Sequence, residues 1–317
     1  MSYAFVFPGQ GSQSIGMGKR LFETYPLAKE IFEEVDETLE QFLYNLMSVG
    51  DLNELTLTEN AQPALMAVSL AVIRVLEKEG NFSISQKASY VAGHSLGEYS
   101  ALAAAGSFTL ADTAKLLKKR GLAMQQAVPV GKGGMAAILG LTLKEVEEIV
   151  KKVQEQKPDQ ICSIANDNAP GQVVISGDVE AIEYALSVFV TEKKAKGIKL
   201  PVSAPFHCTL MKPAAHIMDE ALSKTTIESP ILPLISNVTA QKVNDVTNIR
   251  SLLVKQITER VRWCESILYM KKLGVTTIIE CGAGKVLAGL IKRIDKELEV
   301  ISVGDPEGID NVLKKIC

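Results

Sequence analysis

Aromatic residues are scarce in this chain: they make up 5% of 317 residues, with a single tryptophan. Stacking platforms for single-stranded nucleic acid are therefore lacking, and 34 Lys+Arg against 37 Asp+Glu, a formal charge of −3, leaves no basic stripe for a phosphate backbone. Nucleic acid is not an expected partner. The apolar, uncharged stretch Asn60 to Ile73 falls short of the ~18–20 residues needed to span a bilayer. The opening Met1-Ser2-Tyr3-Ala4-Phe5-Val6-Phe7 has no basic segment ahead of its apolar residues, so it reads as a first strand rather than a signal peptide. No membrane association is expected, and a cytoplasmic location is. Cysteine is equally uninformative as a scaffold: Cys162, Cys208, Cys264, Cys281 and Cys317 are scattered, with no Cys-x-x-Cys and no Cys/His ligand spacing. Free thiols in a reducing compartment, and no metal site, are the expectation.

With 47% hydrophobic residues and 22% charged, the chain can bury a large core. Strand-like segments alternate with helical patterns, which points to an α/β fold with a largely parallel sheet. Gln62 to Glu79 reads as a deeply buried helix, with Pro63 at its first position and Gly80 as its stop. From Gly133 to Val202 the order becomes β-α-β-β-α-β, including helices over Leu143 to Glu155 and Val179 to Thr191 and a last strand near Ile198 to Val202. That is the pattern of a ferredoxin-like subdomain. The expected organisation is a large domain over residues 1–131 and 203–317, interrupted by a small inserted subdomain over 132–202.

The strongest chemical signal is Gly93-His94-Ser95-Leu96-Gly97, preceded by a short strand and followed by a helical run from Glu98. In a nucleophile elbow the glycines permit a strained strand-to-helix turn that projects the serine hydroxyl, and the next residue's N–H helps to hold an oxyanion. A serine nucleophile needs a base, and the chain has three histidines, His94, His207 and His216. His216 shares a helical face with Asp219, Glu220 and Ser223 and reads as a surface residue, while His94 adjoins Ser95 and its side chain must point away from the hydroxyl, as a structural or pocket residue. His207, in the loop Ser203-Ala204-Pro205-Phe206-His207-Cys208, is the candidate base. Asp112, Asp159, Asp167 and Asp178 all fall between Ser95 and His207, and none is singled out as an orienting acid.

Arg120 shares a helix face with Leu116, Leu117, Ala123 and Met124, whereas Lys115, Lys118 and Lys119 group on another side. An arginine on an apolar face either snorkels or serves a carboxylate or phosphate. The glycine-rich Phe7-Pro8-Gly9-Gln10-Gly11-Ser12-Gln13 fails as a dinucleotide loop, which needs glycine at Ser14. Gly282-Ala283-Gly284-Lys285 fails as a phosphate loop, which needs glycine at Ile279 and Ser or Thr at Val286. No cofactor is expected. A turn carrying Gln10 toward the elbow would complete an oxyanion hole.

Taken together, these residues resemble the malonyl-CoA:acyl carrier protein transacylases of type II fatty acid synthesis. The likeness rests on Phe7 to Gln13, Gly93 to Tyr99, Arg120-Gly121 with Met124-Gln125, Asn166 to Ser176, Pro205 to Cys208 with Met211-Lys212-Pro213, Gln256, and Gly284 to Leu287. The resemblance implies an α/β-hydrolase-like large domain with a ferredoxin-like insert. It also implies ping-pong transfer of malonyl from malonyl-CoA to the thiol of holo acyl carrier protein. Ser95 would be the nucleophile and His207 the base, with Gln10 and Leu96 at the oxyanion and Arg120 on the malonyl carboxylate. The backbone carbonyl of Gln256 would orient the histidine, and His94, Asn166 and Phe206 would line the pocket. Two departures from the pattern, Asp167 between Asn166 and Asn168 and Ala283 where proline is usual, bear on the pocket or nearby loops. A free-standing acyltransferase or acyl-editing hydrolase serving a polyketide synthase would use the same residues. The lysines Lys193, Lys194, Lys196 and Lys199 are a candidate docking patch for an acidic carrier protein.

Overall fold

The computed structural model describes residues 2–202 and 204–316, so Met1, Ser203 of the histidine loop and the cysteine expected as a free thiol at Cys317 lie outside the described residues. The strands are β1 (Tyr3–Phe7), β2 (Ala88–Gly93), β3 (Gly133–Leu139), β4 (Cys162–Ala169), β5 (Gln172–Asp178), β6 (Lys196–Lys199), β7 (Leu234–Ile235), β8 (Lys242–Val243), β9 (Thr277–Cys281) and β10 (Glu299–Val303). They form two sheets. The first has the order β10-β9-β1-β2-β7-β8 and is parallel except for the β7–β8 pair; the second has the order β4-β5-β3-β6 and is antiparallel throughout.

Strand β1 shows why the first sheet must be covered on both faces. All five of its residues are buried, with Tyr3, Phe5 and Phe7 on one side and Ala4 and Val6 on the other. Alternate side chains point to opposite faces, so two hydrophobic layers are needed to cover them. One includes Leu65, Val68 and Leu102; the other includes Trp263, Ile267 and Leu287. The second sheet is covered on one face by helices Leu143–Gln156 and Val179–Glu192, through a separate cluster containing Ile138, Val146, Ile149 and Ile182.

Three boundaries differ from those predicted. The central helix runs from Thr58 to Gly80, so Pro63 lies inside it, and Asn81 in the left-handed region, not Gly80, closes it. Its first turn holds Thr58, Glu59 and Asn60, polar residues that hide the apolar period there. Pro63 is the sixth residue of this helix, so its missing N–H leaves Glu59 O in the first turn without its usual i+4 donor. The last strand of the insert is Lys196–Lys199 rather than Ile198–Val202, because its register pairs Lys199 with Ala136 and Lys196 with Leu139.

The two sheets are stitched together close to the elbow. Asn166 on β4 forms a parallel bridge with Val261, in which Asp167 N–H donates to Val261 O at 3.0 Å and Val261 N–H donates to Ala165 O at 2.8 Å. This brings the insert against the chain that follows Gln256.

Candidate active site

Ser95 stands between the C-terminal end of β2 and helix Leu96–Ala104, with φ 52° and ψ −109°. A non-glycine residue in that region costs of order 1–3 kcal/mol and persists only where its surroundings fix it. The surroundings here are specific. Ser95 N–H donates to Asn237 Oδ1 at 2.8 Å, and Gln256 Nε2 donates to Ser95 O at 2.9 Å. Asn237 Nδ2 donates to Gly93 O at 2.7 Å, so one amide clamps both sides of the turn. The two motif glycines are demanded by close approach: a Cβ on Gly93 would lie 1.9 Å from Gly97 C and O, and one on Gly97 would lie 2.2 Å from Phe7 O.

His207 meets the serine from the other side. Its Nε2 lies 2.8 Å from Ser95 Oγ and its Nδ1 lies 2.7 Å from Gln256 O. A carbonyl can only accept, so Nδ1 carries the proton and Nε2 is left as the acceptor. No aspartate is needed to set the tautomer. His207 is itself in the left-handed region, with φ 58°, and is 4% exposed. Burial, and then the neighbouring Arg120 charge, push its pKa down to about 3, so the imidazole is neutral at any ordinary pH and its Nε2 lone pair carries no proton.

Arg120 is 1% exposed, on helix Leu110–Gln126. Its Nη1 donates to Gln62 Oε1 at 2.8 Å, and its Nη2 donates to Gln256 Oε1 at 2.8 Å and to Ser95 Oγ at 3.1 Å. Its Cζ lies 5.6 Å from the centroid of the Tyr99 ring. The guanidinium therefore has neutral acceptors and an aromatic face around it, and no carboxylate in direct contact. A buried cation so placed favours an anionic ligand strongly.

A cavity of about 250 Å³ opens over these groups, lined by Gln10, His94, Ser95, Leu96, Arg120, Asn166, Phe206 and His207 among others. Leu96 begins its helix, so its N–H is one of the first-turn donors that the helix itself leaves unpaired. His94 faces away from the Ser95–His207 bond: its Nε2 lies 2.8 Å from Asn168 Oδ1 and its ring meets Trp263 edge-on. His216 is exposed. Gln256 lies behind the cavity wall, fully buried. Asp167 and Ala283 do not line the cavity; Asp167 feels Arg260 and Arg262, and Ala283 lies in a separate polar hollow beside Gly16, Lys285 and Gly304. Neither position lies on the cavity wall, although Asp167 adjoins Asn166, which does. Among the described residues no group of three or more His, Cys, Asp or Glu is placed to hold a metal ion.

Three residues of this site are not singled out by the sequence. Gln62, Asn237 and Glu98 are single polar residues with no spacing signal. Gln256 was read for its backbone carbonyl alone, and its side chain proves equally engaged. The visible hint for Gln62 and Glu98 was a polar residue in an otherwise apolar helix.

The chain matches the acyl transferase domain family over residues 4–303. It is 45% identical over 313 residues to the malonyl CoA-acyl carrier protein transacylase of Bacillus subtilis (strain 168), covering 99% of this chain and 96% of that one. Among solved structures, the acyl-carrier-protein-S-malonyltransferase of Bartonella henselae superposes with a TM-score of 0.96 at 52% identity, covering 100% of this chain and 99% of that one. A malonyl-transacylase solved in complex with its type II PKS acyl-carrier protein superposes with a TM-score of 0.94 at 39% identity, covering 99% of this chain and 100% of that one. With a strained serine elbow, a histidine held by a backbone carbonyl and a buried arginine facing the same cavity, this chain belongs to the malonyl CoA-acyl carrier protein transacylase family of acyltransferases.

Proposed function

We propose that this chain transfers the malonyl group from malonyl-CoA to the phosphopantetheine thiol of holo acyl carrier protein, through a malonyl ester on Ser95, and so supplies fatty acid synthesis. The observation that carries this reading is Arg120: a buried guanidinium with Nη2 3.1 Å from the nucleophile and no carboxylate in contact suits an acyl group that bears an anion. His207 Nε2 takes the Ser95 proton as Oγ attacks the thioester carbon. The oxyanion is held by the Leu96 N–H and Gln10, and His207 returns the proton to the departing CoA sulfur. In the second half the carrier thiol gives its proton to His207 and attacks the Ser95 ester, and the serine recovers its hydrogen as it leaves. His94, Asn166 and Phe206 shape the wall. A cytoplasmic location belongs to the same reading: no helix of the described residues is long and apolar enough to cross a membrane, and Cys162, Cys208, Cys264 and Cys281 are unpaired thiols.

The polyketide alternative has one specific support, the similar malonyl-transacylase whose carrier serves a type II PKS. The lysine patch offers less than its composition suggests as a docking surface, since Lys193 pairs with Glu145 and Lys199 with Glu183.

Intact-protein mass spectrometry after brief exposure to malonyl-CoA tests the reading. The expected result is a malonyl adduct that requires Ser95 and disappears as malonyl-carrier protein forms. Loss to water at the same rate with and without carrier would instead indicate an editing hydrolase, and no adduct would overturn acyl transfer altogether. Carriers from the two pathways, compared side by side, separate fatty acid from polyketide supply.

A further inference from the structure

Glu98 is a fully buried carboxylate that the reaction does not use. It sits one turn into the helix that Ser95 initiates, and both of its oxygens accept: Oε1 from Asn237 N–H at 3.1 Å, and Oε2 from Gln256 Nε2 in a short contact. Gln256 is the link to the reacting groups. Its Nε2 faces three oxygens, those of Glu98, Ser95 O and, at 3.4 Å, Asn237 Oδ1, while its Oε1 accepts from Arg120 Nη2 at 2.8 Å. Turned the other way, the amide would set its oxygen against these oxygens and its NH2 against the guanidinium. The orientation of one amide thus decides whether Arg120 is held beside Ser95 or repelled.

We infer that Glu98 is a positioning residue for acyl selection: it fixes the Gln256 side-chain amide with its oxygen toward Arg120, and so aims the guanidinium at the acyl carboxylate. The inference rests on the malonyl-transfer reading above, and it assigns that reading's selectivity to a residue that never touches substrate. It also accounts for a costly feature. A carboxylate at zero exposure with no cation in contact is expensive to bury. One amide away from Arg120, it balances the buried cation without occupying the fork that the incoming carboxylate must take.

The substitution Glu98→Gln gives a sharp test, because both Glu98 oxygens face N–H donors. A glutamine of the same shape must set its NH2 against either Asn237 N–H or Gln256 Nε2, whichever way it turns. The expected result is a fall of about tenfold in the preference for malonyl-CoA over acetyl-CoA, carried mainly by KM for malonyl-CoA, with acetyl transfer falling less. Gln256→Met, which keeps the backbone carbonyl under His207, should relax the preference to the same degree. The double variant should be no worse than either single one, since both break the same link. An unchanged malonyl/acetyl ratio in Glu98→Gln, or equal loss of both substrates, would overturn the inference.

A second measurement needs no variant. Burial raises Glu98 to about 7, and its protonated form, like glutamine, opposes a donor. Of the groups facing it, Arg120 keeps its charge, His207 at about 3 and Tyr99 at about 12 do not titrate near neutrality, and Asn237, Ser236 and Gln256 are neutral. Asp167, raised to about 6, is influenced by Arg260 and Arg262 instead. The wild-type malonyl/acetyl ratio should therefore decline as pH falls from 8 to 6, and Glu98→Gln should show no such step. A flat wild-type ratio would also overturn the inference. The malonyl-transfer reading fails separately, if wild type shows no malonyl preference or Arg120→Ala leaves that preference intact.

Discussion

Arg120 Nη2 donates to Ser95 Oγ at 3.1 Å, so the guanidinium proposed to select the acyl unit also touches the hydroxyl proposed to attack it. Because a guanidinium can only donate, this contact takes an oxygen lone pair and leaves the serine proton for His207 Nε2, 2.8 Å away. One hydroxyl can thus serve both neighbours at once, donating to His207 and accepting from Arg120.

Replacing Arg120 with alanine should lower kcat/KM for malonyl transfer by ~100-fold or more, the range of a desolvated, charge-assisted pair, while acetyl transfer changes little or rises. Steady-state kinetics on the two CoA thioesters measure this. Equal losses on both would assign Arg120 a structural role.

The pH dependence of acylation should lack the ordinary histidine limb. With His207 pushed down to about 3, kcat/KM for acetyl-CoA, whose acyl group does not ionise, should stay nearly flat from pH 8 to 5. The Arg120 charge is the second cause of that depression, so Arg120→Ala should move the acid limb upward toward 6.5, stopping short because burial persists. A wild-type limb already at 6.5 would contradict the geometry.

Gly97→Ala should fail as a fold before it fails as a catalyst. Its Cβ would meet Phe7 O at 2.2 Å and Phe7 C and Pro8 O at 2.9 Å, all of them backbone of β1 and the turn that follows. A loss of at least ~3 kcal/mol is expected from overpacking that no rotamer relieves, seen as a lower denaturant midpoint.

Asn237→Ala should strip the elbow of both clamps, leaving Ser95 N–H and Gly93 O without the partners they have at 2.8 and 2.7 Å. About 2–4 kcal/mol of stability should go with two unsatisfied buried groups, along with most of the acylation rate. Asn237→Asp should rescue only in part, because a carboxylate can accept from Ser95 but cannot donate to Gly93. Full rescue by aspartate would show that the Gly93 contact is dispensable.

Local signals carried much of this from the sequence. The G-x-S-x-G elbow, the exclusion of His216 and the apolar setting of Arg120 all follow from neighbours within one helical turn, and the order of strands and helices after Gly133 foreshadows the separate antiparallel sheet. What stayed hidden depends on distance. Asn237 follows a two-residue strand, and Gln256 ends a short helix; each acquires its meaning only when β7 pairs with β2 and the Asn166–Val261 bridge draws the chain in. Glu98 has no spacing signal of its own, and only its place in an otherwise apolar helix hints that its face is inward. The start of the Thr58–Gly80 helix is hidden for the same reason, since Asn60 is polar for its contacts with Gln41 and Lys118 and not for the helix.

Ser95 lies in the first third of the chain, yet its N–H and C=O are held by Asn237 and Gln256, and β1 beneath it is flanked by β9 as well as β2. During synthesis the nucleophile therefore leaves the ribosome long before the residues that make it one. The partners that hold its strained backbone become available only once about three quarters of the polypeptide has been made, so the geometry of the turn is completed late in the chain although its sequence comes early.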